Sequence, residues 1–219
     1  MVVLYIPYFG YSFEMKNTID NKDLWSRPTT LDGSQVRLEP LSLAHLDSLT
    51  EYVLYKNAWH SLIWGTKTKE DLKRGILNSG KMRETQTANY FAIVKKDLNQ
   101  AVGMTRLMNF DRLHKGVEIG GTWLGEKVQK TNVNTENKLL LLQYCFETLN
   151  VQRVELKADS LNFNSQKAIL RIGAKFEGEL RNSCLLPDGR KHSYRVYSII
   201  DSEWPFIKIT LNQYLQKYV

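Results

Sequence analysis

Between Leu124 and Glu136 the chain reads LGEKVQKTNVNTE, a polar segment that feeds directly into a run of leucines. A helix opening there presents unpaired amide hydrogens and the positive end of its dipole, so its backbone can hold a diphosphate without side-chain charge. Lys127 and Lys130 add positive field. Ordinary capping by Asn or Thr fits the same composition, and the loop alone leaves both readings open. Just upstream, Gly120-Gly121 in a β-rich stretch permits a bulge and a close backbone approach, either to twist the sheet or to admit a ligand. Downstream, Asn162 and Ser165 stand where they cap a short helix or meet phosphates. His45, His60 and His114 fall in no HxH or HExxH pattern, so no metal centre is expected. Cys145 and Cys184 form no CxxC and read as two buried free thiols of a reducing compartment, which points to the cytoplasm.

The elements that must position these residues are legible in the periodicity. Val36 and Leu38 alternate with polar neighbours as a strand ended by Pro40. Leu43, Leu46, Leu49, Val53 and Leu54 follow at helical spacing behind Ser42, predicting a helix to about Tyr55. Thr68 to Asp71 has capping-box spacing, and Leu72, Ile76 and Leu77 mark a second helix ending near Gly80. From Tyr90 to Leu124 the period falls to two. Tyr90–Val94, Ala101–Phe110 and Gly116–Leu124 read as an antiparallel meander with turns at 97–100 and 112–115. Thr135–Leu149 is expected as a helix, Arg153–Ala158 as a strand and Asn162–Ile172 as a helix closed by Gly173 in a left-handed cap. A hairpin turns at Pro187-Asp188-Gly189, and an aromatic helix runs from about Glu203 to Val219.

Strand Gly116–Leu124, helix Thr135–Leu149 and strand Arg153–Ala158 form a β-α-β unit, so the two strands should lie parallel and adjacent. The whole is an α+β layer with helices covering one sheet. At 219 residues, one domain hides roughly 70% of the surface its unfolded chain exposes, enough for a single core. We expect residues 1–26 as an N-terminal extension and 27–219 as the domain. Residues 1–14 carry no Lys or Arg, so they lack the basic region of a secretory signal, and Met15 is an alternative start. The longest dense apolar run, Leu139–Leu142, is far short of a membrane span. A net charge of +7 favours an anionic partner or equally a generally solvated basic surface, and no basic stripe with interleaved aromatics points to nucleic acid.

Read together, these residues resemble the GNAT N-acetyltransferase superfamily, in its RimJ/RimL-like branch, over about Arg27 to Leu215. The resemblance is carried by Glu118-Ile-Gly-Gly-Thr-Trp-Leu124, Gln129-Lys-Thr-Asn-Val-Asn-Thr-Glu136, Arg153-Val-Glu-Leu156, Asn162-Phe-Asn-Ser165, Arg171-Ile-Gly-Ala174, Glu177-Gly178 with Leu180-Arg181, and Asp188-Gly-Arg190. It implies a central, mostly antiparallel sheet with a parallel, splayed strand pair and flanking helices. It also implies acetyl-coenzyme A as cosubstrate, without a metal. Gln129, Lys130, Thr131, Asn132, Val133, Asn134 and Thr135 would line the pyrophosphate. Thr122, Trp123 and Leu124 would meet the pantetheine arm between the splayed strands, with Asn162 and Ser165 opposite.

The family's two loop glycines are replaced here by Asn132 and Asn134. Asparagine enters the left-handed region more readily than other residues with a Cβ, though Asn132 should crowd the phosphates. The resemblance also makes the Leu124 N–H an oxyanion donor. The family's aromatic hydroxyl that reprotonates the thiolate falls at Ile169, leaving Ser165, a water, Tyr194 or Tyr197 to substitute. For the base that deprotonates the amine, Glu118 is the first candidate and Glu177 and His192 are reserves, although Glu118 could equally be paired with a Lys or Arg. The resemblance places Trp59 and Trp64 in the region that walls the acceptor site in this superfamily, with core or rim packing as the alternative for both.

The implied activity is transfer of an acetyl group to a primary amine by direct attack in a ternary complex. The acceptor is a protein N-terminus or a small molecule. The alternative is a coenzyme A-binding regulatory module with weak or no catalysis. A homodimer about the hairpin is compatible with either.

Overall fold

The period-two stretches become strands of one eight-stranded sheet. The computed structural model describes residues 22–53, 66, 68–186 and 189–217. Elements follow in the order α1 (Lys22–Ser26), β1 (Leu31–Asp32), β2 (Val36–Pro40), α2 (Leu46–Val53) behind a 3-10 turn at Leu43–His45, α3 (Lys69–Glu84), β3 (Ala88–Lys95), β4 (Gln100–Asp111) and β5 (Gly116–Leu124). A 3-10 turn at Glu126–Val128 leads to α4 (Val133–Gln143), then β6 (Arg153–Asp159), α5 (Phe163–Arg171), β7 (Lys175–Leu185), β8 (Lys191–Ile200) and α6 (Trp204–Gln216). The sheet order is β1-β2-β3-β4-β5-β6-β8-β7. Every neighbouring pair is antiparallel except β5 and β6, which run parallel. The mixed α/β architecture, with one parallel pair and flanking helices, is the one expected.

Strand alternation divides the core between the two faces. On one face Leu41, Leu49, Leu72, Ile76, Tyr90, Ala92, Met104 and Trp123 pack under α2 and α3. On the other, Phe91, Ile93, Leu107, Val117, Ile119, Val154 and Leu156 pack under α4 and α6 with Leu141, Leu142 and Leu211. Trp25 is buried in this second cluster, and Tyr144 Oη donates to Leu24 O at 2.7 Å, so the body of the fold takes in the chain from at least Leu24.

Several element boundaries differ from expectation. The two-residue β1 was not foreseen; it exists only because Leu31 and Asp32 pair with Leu38 and Arg37. The capping box at Thr68 is formed, with reciprocal 3.1 Å bonds to Asp71, but α3 runs past Gly80 to Glu84. Gly80 faces open space within the helix, and Met82 beyond it packs on the core, so the helix has reason to continue. The leucine-rich helix begins at Val133 and gives way at Tyr144–Thr148 to a π-helical turn, closed by Leu149 N–H to Tyr144 O at 2.9 Å. The extra residue in that turn accompanies the stacking of Phe146 on Trp204, 5.5 Å between centroids. Gly173 takes the expected left-handed conformation, φ +94°. Cys145 is buried, but Cys184 is exposed, because it lies on the outermost strand β7, which has no sheet neighbour on its far side. Residues 1–21, including the alternative start, the segment with Trp59, His60 and Trp64, and Pro187-Asp188 lie outside the described residues.

Candidate active site

The two parallel strands separate. They pair at Gly116 with Arg153, Val117 with Val154 and Glu118 with Glu155, and no further, although β5 continues to Leu124 and β6 to Asp159. The facing edges beyond Glu118 and Glu155 therefore carry backbone groups that the sheet does not use. On its other edge β5 stays bonded to β4, where Arg106 opposes Gly120 and Met104 opposes Trp123. One residue of β4, Thr105, thus faces two of β5, a bulge with Gly121 at φ +56°. Gly125 N–H donates to Val102 O on β4 at 2.8 Å, so by strand alternation the N–H of Leu124 points to the opposite edge, into the gap. Trp123 turns its ring into the α2/α3 core.

The loop into α4 closes one end of this gap. Val128 and Gln129 N–H are used within the turn, Val133 N–H meets Thr131 Oγ1 and Glu136 N–H bonds to Asn132 O. The amides of Lys130, Thr131, Asn132, Asn134 and Thr135 have no partner among the described residues. The asparagines do not take the left-handed backbone expected of them. Asn132 has φ −73° and ψ −10°, Asn134 is inside α4, and the left-handed residue is Lys130, φ +61°.

Asn132 Nδ2 donates to Gln35 Oε1 at 2.8 Å, and Glu136 accepts from the backbone N–H groups of Ser34 and Gln35, fastening the loop to the β1–β2 turn. Gln129 Nε2 donates to Leu124 O, and Thr131 Oγ1 to Val128 O. Thr135 Oγ1 accepts from Arg171 of α5 at 2.7 Å. Asn134 Oδ1 is buried without a partner among the described residues. Across the gap, Asn162 Oδ1 caps α5 by accepting from Ser165 N–H at 3.0 Å, the capping reading of that pair. A groove of about 400 Å³ at the end of β6 is lined by Asp159, Leu161, Asn162, Phe163, Asn164 and Arg190.

Glu118 stands where the strands part, 3% exposed, on the face shared with α2 and α3. Its carboxylate is paired, the alternative that the sequence left open: Oε2 accepts from Lys157 Nζ at 2.9 Å and from Asn109 Nδ2 at 2.7 Å. Oε1 lies over Gly120, 3.1 Å from where a Cβ would sit, so it extends along β5 toward the bulge. Desolvation pulls the Lys157 ammonium down, but hydrogen bonds to Glu155 and Glu118 hold it above the usual lysine range.

The reserve candidates are placed differently. Glu177 is on β7, and hydrogen bonds from Arg153 and Ser198 hold its carboxyl below the usual value. His192 is buried rather than a surface residue, 8% exposed, edge-on to Tyr194, with Nδ1 3.2 Å from Asp159 Oδ2 but out of hydrogen-bond geometry. Ile169 is in the core. Of the two tyrosines, Tyr197 is 2% exposed and packs edge-on against Phe176, whereas half-buried Tyr194 is near Glu118. Burial, then Cys184 and Glu118, push the Tyr194 hydroxyl up, against a smaller opposing pull from Arg106.

Three charged residues at this site escaped sequence reading: Lys157, Arg106 and Lys138. Arg106 and Lys138 sit in apolar runs, where only the misfit of a charge on a buried face could have marked them, whereas Lys157 alternates with Arg153 and Glu155 on the polar face of β6 and gave no local signal. Lys138, buried in the second turn of α4, donates to Thr122 Oγ1 at 2.6 Å, which is 2.8 Å from Thr105 Oγ1. This chain braces the bulge from the side opposite Glu118. Desolvation brings the Lys138 amine down to about 7. Among the described residues no group of His, Cys, Asp and Glu could hold a metal, and no helix is long and apolar enough to cross a membrane.

Comparison with known proteins agrees with this geometry. The chain is 32% identical over 102 residues to the Bacillus subtilis (strain 168) protein named "Putative ribosomal N-acetyltransferase YdaF", a match spanning 47% of this chain and 55% of that relative. The crystal structure of a GCN5-related N-acetyltransferase from Brucella melitensis superposes with a TM-score of 0.79 at 27% identity, covering 86% of each chain. The ribosomal-protein-S5-alanine acetyltransferase of Vibrio fischeri shares the fold, with a TM-score of 0.65 at 18% identity over 80% of this chain and 98% of that one. A family model for the acetyltransferase (GNAT) domain matches residues 35–175, which takes in the parted strands, the loop and the capped helix, and the chain belongs to that family.

Proposed function

We propose that the protein is an acetyl-coenzyme A-dependent N-acetyltransferase in which a primary amine of the acceptor attacks the thioester directly in a ternary complex. One observation carries the reading: strands that part beyond Glu118 and Glu155 beside a loop with five amides that have no partner among the described residues. The residues suit the cosubstrate. Amides of Lys130, Thr131, Asn132, Asn134 and Thr135 would hold its pyrophosphate, and the free edges of Thr122–Leu124 and of β6 would pair with the amides of its pantetheine arm. Bound there, acetyl-coenzyme A would supply an acetyl group activated as a thioester.

In this reading Glu118 Oε1 takes the proton of the incoming ammonium, directly or through water, because only the neutral amine is a nucleophile. Lys157 and Asn109 hold the other carboxylate oxygen and fix its aim. The Leu124 N–H stabilises charge developing on the carbonyl oxygen. Tyr194, protonated over a wider range than a free tyrosine, is the donor available to the departing thiolate, with Ser165 at the opposite wall. The name of the Bacillus relative supports a protein amine as acceptor.

The test is thiol release with a panel of amines and N-terminal peptides. Glu118→Gln should lower kcat by about 10²- to 10⁴-fold near pH 7, the range for loss of a general base, while acetyl-coenzyme A still binds. Unchanged kcat removes Glu118 from the chemistry. The apolar burial of Ile169 favours a second reading, a coenzyme A-binding module without turnover, which binding without thiol release on any amine would support.

A further inference from the structure

Arg106 leaves β4 on the same face as Glu118. Its strand partner is Gly120, two residues along β5 from Glu118, so the two side chains are diagonal neighbours within reach of each other, roughly 7–8 Å apart at the backbone. They do not pair. Glu118 is bound by Lys157 and Asn109, while Arg106 Nη1 donates to Tyr90 Oη and the guanidinium lies 5.2 Å from the Tyr90 ring centroid. Arg106 is 9% exposed, its Nε is buried without a partner, and no carboxylate among the described residues forms an ion pair with it. A guanidinium withdrawn from water without a counter-charge is costly, and a carboxylate matches its planar fork of donors. Half-buried Tyr194 lies within electrostatic range of both Arg106 and Glu118.

We propose that Arg106 anchors a carboxylate of the acceptor, so that the preferred substrates are amines carrying an acidic group close to the reacting nitrogen. This rests on the acetyltransferase reading. Amine and carboxylate then dock onto Glu118 and Arg106 as opposite charges on neighbouring strands, which orients the nitrogen toward the gap. A monoanion fits better than a phosphate, because Lys157 is already committed to Glu118 and Glu155 and Arg106 is the single cation left for the ligand among the residues named here. The carboxylate has two possible sources, an acidic side chain at the start of a peptide or the α-carboxylate of a free amino acid.

The experiment compares kcat/KM for acid and amide forms of otherwise identical amines. One arm uses peptides with Asp or Asn, Glu or Gln in the first or second position. The other uses free amino acids against their α-amides. The wild type should prefer the acid form roughly 10- to 100-fold in one arm, the usual worth of a hydrogen bond to a charged group. In Arg106→Met that ratio should fall to near one, carried by KM, with the Kd for acetyl-coenzyme A unchanged; Arg106→Lys should lie between. A ratio near one in the wild type, or one that survives in Arg106→Met, overturns the anchor while leaving the acetyltransferase reading intact.

If Arg106→Met does not fold, the wild-type and Arg106→Lys ratios decide. If no amine is acetylated, the acetyltransferase reading fails, and calorimetry of the same acid and amide pairs on the coenzyme A-loaded protein decides the anchor: preferential binding of the acids keeps it, equal binding rejects it.

Discussion

Two lysines of opposite consequence flank the bulge of β5. Lys157, partly exposed, is held by two carboxylates and keeps its proton; Lys138, buried, meets hydroxyls and loses its proton readily. For Lys138 the folded-state value, about 7, lies below the ordinary 10.5, so the unfolded chain binds more protons between those limits and stability rises with pH across them. Below pH 7 the buried amine is charged and its penalty is fully present; above pH 10.5 the penalty is gone. We expect the wild type to gain about 1 kcal/mol per pH unit between pH 8 and 10 relative to Lys138→Met, in denaturant titrations of both proteins. Parallel pH curves would show that the amine titrates normally. Cys145 lies near Lys138, and burial raises its thiol, so the native thiol stays neutral while the unfolded one ionises; that contribution is common to both proteins and cancels in the difference.

At the scale of elements, two glycines do different work. A Cβ on Gly120 would sit 2.4 Å from Met108 Cε and 3.1 Å from Glu118 Oε1, so alanine there must push flexible side chains aside. Gly120→Ala is expected to cost under about 1.5 kcal/mol in stability but to lower kcat at least tenfold by moving Glu118, a split that melting curves and kinetics would expose. Gly173 has φ +94°, and its Cβ would meet Ile207 Cγ1 at 2.8 Å, against α6. Gly173→Ala should cost roughly 2 to 3 kcal/mol, strain plus overpacking, and leave kcat of the folded fraction intact.

The sequence announced Gly173, because a glycine after a periodic helix has a local reason to be there. It announced Gly120-Gly121 as a bulge too, but not the neighbour that makes the first of them necessary. The π-helical turn after Gln143 left no local signal at all: Tyr-Cys-Phe-Glu-Thr continues a helical pattern, and the turn is recognised by the packing of Phe146 on Trp204.

For the molecule as a whole, the proposed function has the +7 charge and the loop amides unpartnered among the described residues act on the same ligand over different distances. Association with acetyl-coenzyme A should slow and weaken as salt is raised from 0.05 to 0.5 M, since the long-range part is screened beyond roughly 10 Å while the amide contacts persist. Coenzyme A at about 100 times its Kd should add about 2.7 kcal/mol, a rise of roughly 5 to 11 °C in Tm for a chain of this size. A melting temperature indifferent to coenzyme A at any concentration would remove the cofactor site and the reading built on it.

What the sequence determined by itself was the order and type of the elements other than α1, β1 and the π-helical turn, together with the parallel pair, the loop motif and the family, because these rest on periodicity, capping and short-range spacing that neighbouring residues impose on one another. Which carboxylate would be held by an ammonium, that the left-handed residue of the loop would be Lys130 and neither asparagine, which tyrosine would be half-buried and which packed in the core, and that Arg106 and Lys138 would be buried with no counter-charge among the described residues were decided only in the tertiary structure. Each depends on what another strand or helix places within a few ångströms. That neighbour is fixed by the register of the sheet and the packing of α4 against it, and a linear pattern carries neither.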